Sequence, residues 1–357
     1  MQKKAESAPM RQILDRLQRS GEFEIVVFSD ALILQRPTTE WPAVDCLISF
    51  FSAGFPLDKA VEYVDRVRPY LINDLRQQRL LLDRRAVYRR LRQVGIPVPR
   101  HVVADRDGFE PGVDPEGFAE GDDWVEATAP DGRIERIYKP FVEKPASGED
   151  HNIHIYYPQA SGGGVKLLFR KIANKSAMFD PDHDGKVRRD GSYLYESFLP
   201  TGGTDIKVYT VGPRYAHAEA RRAPAVDGRV LRTAEGKELR FPVLLTPSEK
   251  EMARVVSLAF GQKVCGFDLL RSDRGRTYVC DVNGWRRASS MSSSRPSSLS
   301  SSFQHHRCYH RHRHRYHLHQ KPNTPPTHAQ LRQVVQKVSR GLFPCLAWHH
   351  AFGLGSR

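Results

Sequence analysis

Along the first 285 residues the spacing of apolar and polar positions changes character twice. FEIVVFS (23–29) and CLISFF (46–51) are short continuous apolar runs, the pattern of buried strands. LDKAVEYVDRVRP, which follows Pro56, spaces its apolar residues three and four apart and predicts an amphipathic helix. Together these predict an α/β segment over residues 1–75. INDLRQQRLLLDRRAVYRRLRQVGIPVPR (72–100) then carries Leu75, Leu82, Val87 and Leu91 in a helical pattern. It predicts one long helix, stopped at Gly95 with Pro97 and Pro99 beyond.

From residue 137 the texture becomes one of successive short strands: IYKPFVEKP, NIHIYYP, VKLLFRKI, SYLYESFL, DIKVYTVG and YAHAEARR. Most are separated by Gly, Pro or Asp turns, which favours antiparallel pairing. One helix, from Pro247 to about Phe260, precedes a final pair, VCGFDLLRS and TYVCDVNG. The expected fold is therefore an α/β N-terminal segment followed by an α+β domain with antiparallel sheets over residues 76–285, without an internal repeat.

Composition changes the picture after Trp285, where a Ser tract, a His/Arg tract and Pro/Thr spacing follow. Such sequence has little to bury, which predicts a disordered, low-complexity basic tail over residues 286–357. The formal charge of +14 is concentrated there: 12 of the 55 Lys and Arg lie in this stretch with no Asp or Glu, leaving 43 against 41 before it. So long a run without an acid points to a shifted reading frame or a retained intron in the gene, the alternative being a natural tail that touches RNA or lipid. The nearly neutral remainder argues against nucleic acid as its partner. No stretch approaches the length of an apolar membrane span, and the N-terminus lacks the apolar core of a signal peptide. Five cysteines (Cys46, Cys265, Cys280, Cys308, Cys345) without a C-x-x-C pair read as reduced thiols of a cytosolic protein.

Charged residues inside apolar strands need partners, because a charge removed from water is costly. Asp268 lies in GFDLL, and Asp281 and Asn283 in VCDVNG, where period-two alternation puts the latter two on one strand face. Three hard oxygen ligands at neighbouring strand ends suit magnesium; Asp281 and Asn283 alone would as readily cap a turn before Gly284. The complementary cations are Lys144, Arg170, Lys171, Lys207 and Arg221. Around one cleft they would neutralise phosphates; singly, each reads as a solvated strand face. His151 could donate to a phosphate or be structural. Gly162, Gly163 and Gly164 read as a hairpin turn, since no G-x-x-x-x-G-K-S/T or G-x-G-x-x-G is present. G-x-S-x-G, H-E-x-x-H and paired-Cys signatures are absent too, which leaves phosphate-handling chemistry without a P-loop.

In order and spacing, KPFVEKPASGEDHNIHIYYP, LFRKIANKS, GSYLYESFLPTGGTDIKVYTVGPRYAHAEARR, VCGFDLLRS and YVCDVNGW resemble the ATP-grasp kinase domain of the diphosphoinositol pentakisphosphate kinases. The opening MQKKAESAPM, WPAVDCLISFFSAGFPLDKAVEY and INDLRQQRLLLDRRAVYRRL fit as well, so the resemblance runs over residues 1–285. It implies ATP and Mg2+, with Arg84, Lys144, His151 and Arg170 at the nucleotide phosphates and Glu196, Ser197, Phe198 and Leu199 as an adenine hinge. Asp205 and Lys207 would be further nucleotide contacts, Arg221 another ligand-binding cation, and Asp268, Asp281 and Asn283 the metal ligands. Lys3, Lys4, Arg170, Lys171, Lys207 and Arg221, with Arg232 and Arg240, would hold an inositol polyphosphate, and Lys207, Arg170 and Asp268 would carry catalysis. The implied reaction moves the γ-phosphoryl group onto a phosphate of inositol hexakisphosphate or its 5-diphospho derivative. The family has a strand and a glycine-containing turn before the position of Met1. It has a Ser-Phe-Val-Lys-Asn-Ser segment after that of Trp285 and then a histidine-phosphatase-like domain. The expectation is thus an incomplete site of weak or no activity. Two other functions remain open from the residues: an ATP-grasp carboxylate–amine ligase, and polyanion or RNA binding through the tail.

Overall fold

The computed structural model describes residues 5–49, 51, 54–129 and 131–284. The tail at 286–357, Lys3 and Lys4 lie outside the described residues.

The N-terminal segment opens on α1 (Ala8–Arg19), whose Met10, Ile13 and Leu17 fall on one face and are buried with Ile72, Val211 and Val264. After α2 (Asp30–Gln35) come β1 (Cys46–Leu47), α3 (Leu57–Val67) and β2 (Tyr70–Leu71), with β1 and β2 parallel. The amphipathic helix is where the apolar spacing put it, burying Leu57, Ala60, Tyr63 and Val64. FEIVVFS is not a strand. Phe23 and Ile25 pack on the cluster beneath α1, and Phe28 meets Trp41 and Tyr63. Val26 and Val27 stay exposed, so the run is anchored by side chains without a strand ladder. Among the described residues of CLISFF the ladder covers Cys46 and Leu47.

The long helix expected from residue 72 is divided at Asp83. A 3₁₀ turn covers Gln77–Leu82 and α4 covers Arg84–Gln93. Asp83 takes an extended conformation, and its carboxylate accepts from the Arg85 amide at 2.8 Å. A short acidic side chain that satisfies an orphan helix donor starts a helix rather than continuing one. Asp83→Ala is expected to destabilise the chain by about 0.5–2 kcal/mol, read as a lower midpoint in urea unfolding.

Three antiparallel sheets follow. The first holds β4 (Phe118–Glu120), β5 (Trp124–Thr128) and β6 (Ile134–Tyr138). A six-stranded sheet contains β3 (His101–Ala104), β7 (Phe141–Pro145), β8 (Ile153–Tyr156), β9 (Val165–Ile172), β10 (Lys175–Asp180) and β11 (Tyr193–Ser197), in the order β10-β9-β8-β7-β11-β3. The five-stranded sheet is ordered β14-β13-β12-β15-β16, from β12 (Thr204–Val211), β13 (Ala216–Arg222), β14 (Phe241–Pro242), β15 (Val264–Arg271) and β16 (Thr277–Asn283). Two helices lie within this last stretch of chain, α5 (Pro224–Asp227) and α6 (Pro247–Ala259). IYKPFVEKP is shared between two sheets, parting at Lys139–Pro140. The glycine triplet does join β8 to the antiparallel β9, and Gly162, Gly163 and Gly164 all have positive φ, conformations that only glycine adopts without strain.

One core lies between the five-stranded sheet and helices α4 and α6, built on Val87, Leu91, Val208, Val256, Phe260 and Phe267. α6 is held at its start by a capping box between Thr246 and Glu249. A second core, with Phe118, Phe141, Tyr156 and Tyr195, joins the six-stranded sheet to the three-stranded one. Among the described residues no helix is long and apolar enough to cross a membrane.

Candidate active site

The six- and five-stranded sheets jointly line a cavity of about 410 Å³. Alternation along β7 and β8 turns Val142, Lys144, Ile153 and Ile155 into it, while Glu143, His154 and Tyr156 fall outside its lining. Seven Lys or Arg residues line it (Arg84, Lys144, Arg170, Lys171, Lys207, Arg221, Arg240) against four carboxylates (Glu196, Asp205, Asp268, Asp281). His151, Ser197, Phe198, Leu199 and Asn283 are there too, so every described residue that the sequence suggested is in this lining except Arg232. The Arg232 guanidinium donates to the Asn174 side chain and to the carbonyls of Ala173 and Gly236, at 2.7, 2.7 and 2.9 Å, tying together two turns away from the cavity.

At the rear of the cavity the Lys144 ammonium lies 2.6 Å from the Glu196 carboxylate, both almost fully buried. Tyr88, which sequence reasoning passed over because it reads as core of α4, donates to that carboxylate and lies beside the Cys280 carbonyl at 3.0 Å. Lys144 also donates to the Cys280 carbonyl, at 3.1 Å. Burial, the largest single influence, works to lower the Lys144 pKa, but the charge and hydrogen bond of Glu196 together with Cys280 turn the net shift upward. Arg84 is spent locally. Its guanidinium donates to the carbonyls of Pro145 and Ser147, each at 2.6 Å, and of Asp150 at 2.9 Å, clamping the segment that leads to His151. Arg84→Leu should cost about 1.5–3 kcal/mol for a charged donor lost to buried carbonyls, measurable as a fall in thermal midpoint. Burial, then the charges of Arg170 and Arg84, lower the His151 pKa, which keeps that ring neutral at pH 7.

On the facing sheet Lys207, Asp268 and Asp281 are successive rungs across β12, β15 and β16. Lys207 Nζ is 2.8 Å from Asp268 Oδ1. The ammonium is the counter-charge of this buried oxygen. Burial would raise the Asp268 pKa, yet Lys207 and Arg221 pull it down. Burial alone dominates at Asp205, raising its pKa despite Arg221 at 3.7 Å. The Asn283 amide nitrogen donates to Asp281 Oδ2 at 2.7 Å, confirming that these two share a strand face. Two carboxylates and an amide at adjacent strand positions form a hard oxygen set. It fits magnesium, which retains water and phosphate in its other positions. Among the described residues there is no cluster of three His, Cys, Asp or Glu that would hold a metal unaided.

At the remaining corner Arg170 donates to the Glu149 carbonyl at 3.0 Å and has no carboxylate partner among the described residues. Its neighbour Lys171 pairs with Glu238, which also binds Arg240 at 2.7 Å. The apolar lining, including Ile155, Leu168 and Leu270, was not singled out from sequence, although alternation within the strands carried the signal.

A family model described as the diphosphoinositol pentakisphosphate kinase 2 N-terminal domain matches residues 1–83. The inositol hexakisphosphate and diphosphoinositol-pentakisphosphate kinase VIP1 of Arabidopsis thaliana is 58% identical over 285 residues, covering 80% of this chain and 26% of its own length. The inositol hexakisphosphate and diphosphoinositol-pentakisphosphate kinase 2 of Homo sapiens is 53% identical over 285 residues, covering 80% and 22%. The chain thus spans about a quarter of the length of these relatives. The solved RimK domain ATP-grasp protein of Sphaerobacter thermophilus aligns over 78% of this chain and 87% of that one. At 16% identity and a TM-score of 0.45, that likeness is too slight to argue from.

Proposed function

We propose that this chain, whose residues 1–285 belong to the diphosphoinositol pentakisphosphate kinase family, carries an ATP-grasp core over residues 76–285. This core passes the γ-phosphoryl group of ATP to a phosphate of inositol hexakisphosphate or its 5-diphospho derivative. The observation that carries the reading is the single cavity in which seven cations meet the Asp268, Asp281 and Asn283 oxygens. A ligand with six or more phosphates calls for that density of Lys and Arg. The three free cysteines among the described residues, two of them buried, agree with work in the cytosol.

In the transfer, the bond from the γ-phosphorus to the bridging oxygen of ATP breaks, leaving its electrons on ADP, and a bond forms to an acceptor phosphate oxygen. The acceptor is already ionised, so no general base is required, and positioning with charge neutralisation does the work. Arg170, uncommitted to any carboxylate among the described residues, and Lys207 face the transferring group. Lys171, Arg221 and Arg240 hold the acceptor. The Ser197 and Phe198 amides already donate to the Arg100 and Pro140 carbonyls, at 2.9 and 3.2 Å. The hinge therefore meets the adenine edge at Leu199, between apolar walls that include Ile155 and Leu270. Asp268, Asp281 and Asn283 would hold magnesium, which when bound neutralises charge on the phosphoryl oxygens.

Isothermal titration of the folded chain with inositol hexakisphosphate, with ATP and magnesium present, tests the reading. The expected result is binding that weakens in Arg170→Ala and Lys171→Ala. A folded chain that binds no inositol phosphate would refute it.

A further inference from the structure

The cavity cations do not stand equally ready for an anion. Among the described residues Arg170 has only the Glu149 carbonyl as its acceptor, at 3.0 Å. Lys171 and Arg240 share one carboxylate, that of Glu238. One oxygen takes the Lys171 ammonium, and the other takes the Arg240 guanidinium through Nη2 at 2.7 Å and Nε at 3.0 Å. Arg240 is further enclosed by the Tyr209 hydroxyl at 2.5 Å and Glu219 at 3.4 Å. Glu238 is outside the lining of the main cavity and sits in the small recess behind it, which shares Lys171 and Arg221.

The carboxylate is presented by a short hairpin. Leu239 donates its amide to the Leu231 carbonyl at 2.8 Å and Thr233 to that of Lys237 at 2.7 Å. Arg232 staples this hairpin to Ala173 and Asn174, in the turn after Lys171. Arg232, which the resemblance placed at the ligand, here braces the hairpin that carries Glu238. Burial lowers the Lys171 pKa, and Glu238 opposes that; a phosphate arriving in its place would do the same.

Resting on the polyphosphate reading above, we infer that Glu238 is a specificity-determining residue: an internal carboxylate that occupies Lys171 and Arg240, so that only a densely phosphorylated acceptor displaces it. An inositol carrying few phosphates engages Arg170 and gains too little charge at Lys171 and Arg240 to offset losing the carboxylate. One carrying six delivers more charge than the carboxylate removes. Glu238 thus sets a threshold in phosphate number, and Glu238→Gln should lower it.

The test is isothermal titration of the full chain and of Glu238→Gln, each with inositol hexakisphosphate and with an inositol trisphosphate, with unfolding curves showing that both are folded. Removing the carboxylate frees Lys171 and leaves Arg240 with Glu219 as its remaining acid, which is expected to tighten the trisphosphate by at least about tenfold and the hexakisphosphate by less, narrowing the ratio of the two affinities. Glu238→Asp, which withdraws the carboxylate by one methylene, should lie between, and it provides the comparison if the Gln variant does not fold. If the parent chain binds hexakisphosphate but the variants bind the trisphosphate no better, or worse, Glu238 merely positions its cations and the inference is overturned. If the folded parent chain binds neither ligand, the polyphosphate reading itself fails, and the inference with it.

Discussion

Glu196→Ala is expected to destabilise the chain by about 3–5 kcal/mol, because it strips the partner from a buried cation. The Lys144 ammonium would keep the Cys280 carbonyl at 3.1 Å and lose the carboxylate at 2.6 Å, and the Tyr88 hydroxyl would lose an acceptor. Urea unfolding of the parent, of Glu196→Ala and of Glu196→Leu with Lys144→Met separates the pair from its burial. The double variant should recover most of the loss, since apolar groups of similar volume replace a buried ion pair at little cost. The sign of the pH dependence follows from the raised Lys144 pKa, in which burial is opposed by the Glu196 charge and hydrogen bond together with Cys280. The pair's contribution is complete below the ordinary lysine value of about 10.4 and is lost only as pH rises through the folded value. The parent's advantage over Glu196→Ala should therefore persist across neutral pH and fade in strong alkali. Equal stability of the parent and Glu196→Ala would show that the buried pair does not hold the two strands.

Asp268→Ala is expected to act at both sheet and site. It removes the carboxylate that lies 2.8 Å from Lys207 Nζ and leaves the charges of Asp281 and Asp205 near that ammonium. Even the outer partners of metal ligands are worth about 10–100-fold in affinity, so ATP binding in magnesium should weaken by at least that order. In EDTA the parent and the variant should bind ATP alike. Titration calorimetry in the two buffers reads both numbers. A loss equal in magnesium and in EDTA would place Asp268 outside the metal set and leave it as the counter-charge of Lys207. Asp268→Asn keeps the volume and one oxygen, so it separates loss of charge from loss of packing.

Much of the candidate site was legible because the expense of burying charge leaves a mark in sequence. Asp268 within GFDLL, Lys207 within DIKVYT and Lys144 within FVEKP are charges inside apolar strands, and all three line the cavity. Alternation put Asp281 and Asn283 on one face, and their side chains are bonded at 2.7 Å. Where a residue's neighbours come from distant chain, sequence was silent or misled. Tyr88 reads as an ordinary core position of α4, and only the arrival of β7, β11 and β16 makes its hydroxyl a partner of Glu196 and the Cys280 carbonyl. Arg232 reads as one more cation for an anionic ligand, and nothing in its own stretch of sequence shows that its guanidinium bonds to the turn at Ala173 and Asn174.

Local chemistry by itself determined the amphipathic helix after Pro56, the helix from Pro247, the glycine turn at 162–164 and the short strands after residue 137. In each the period of apolar positions or a turn residue dictates the backbone without help from afar. Tertiary structure alone decided that FEIVVFS is held by side chains rather than a ladder. It also decided that two sheets face one another across a cavity, and that Glu238 sits behind Lys171 and Arg240. Strand partners, buried ion pairs and the division of cations between ligand and scaffold depend on which distant segments meet, and that is settled by the packing of the whole chain.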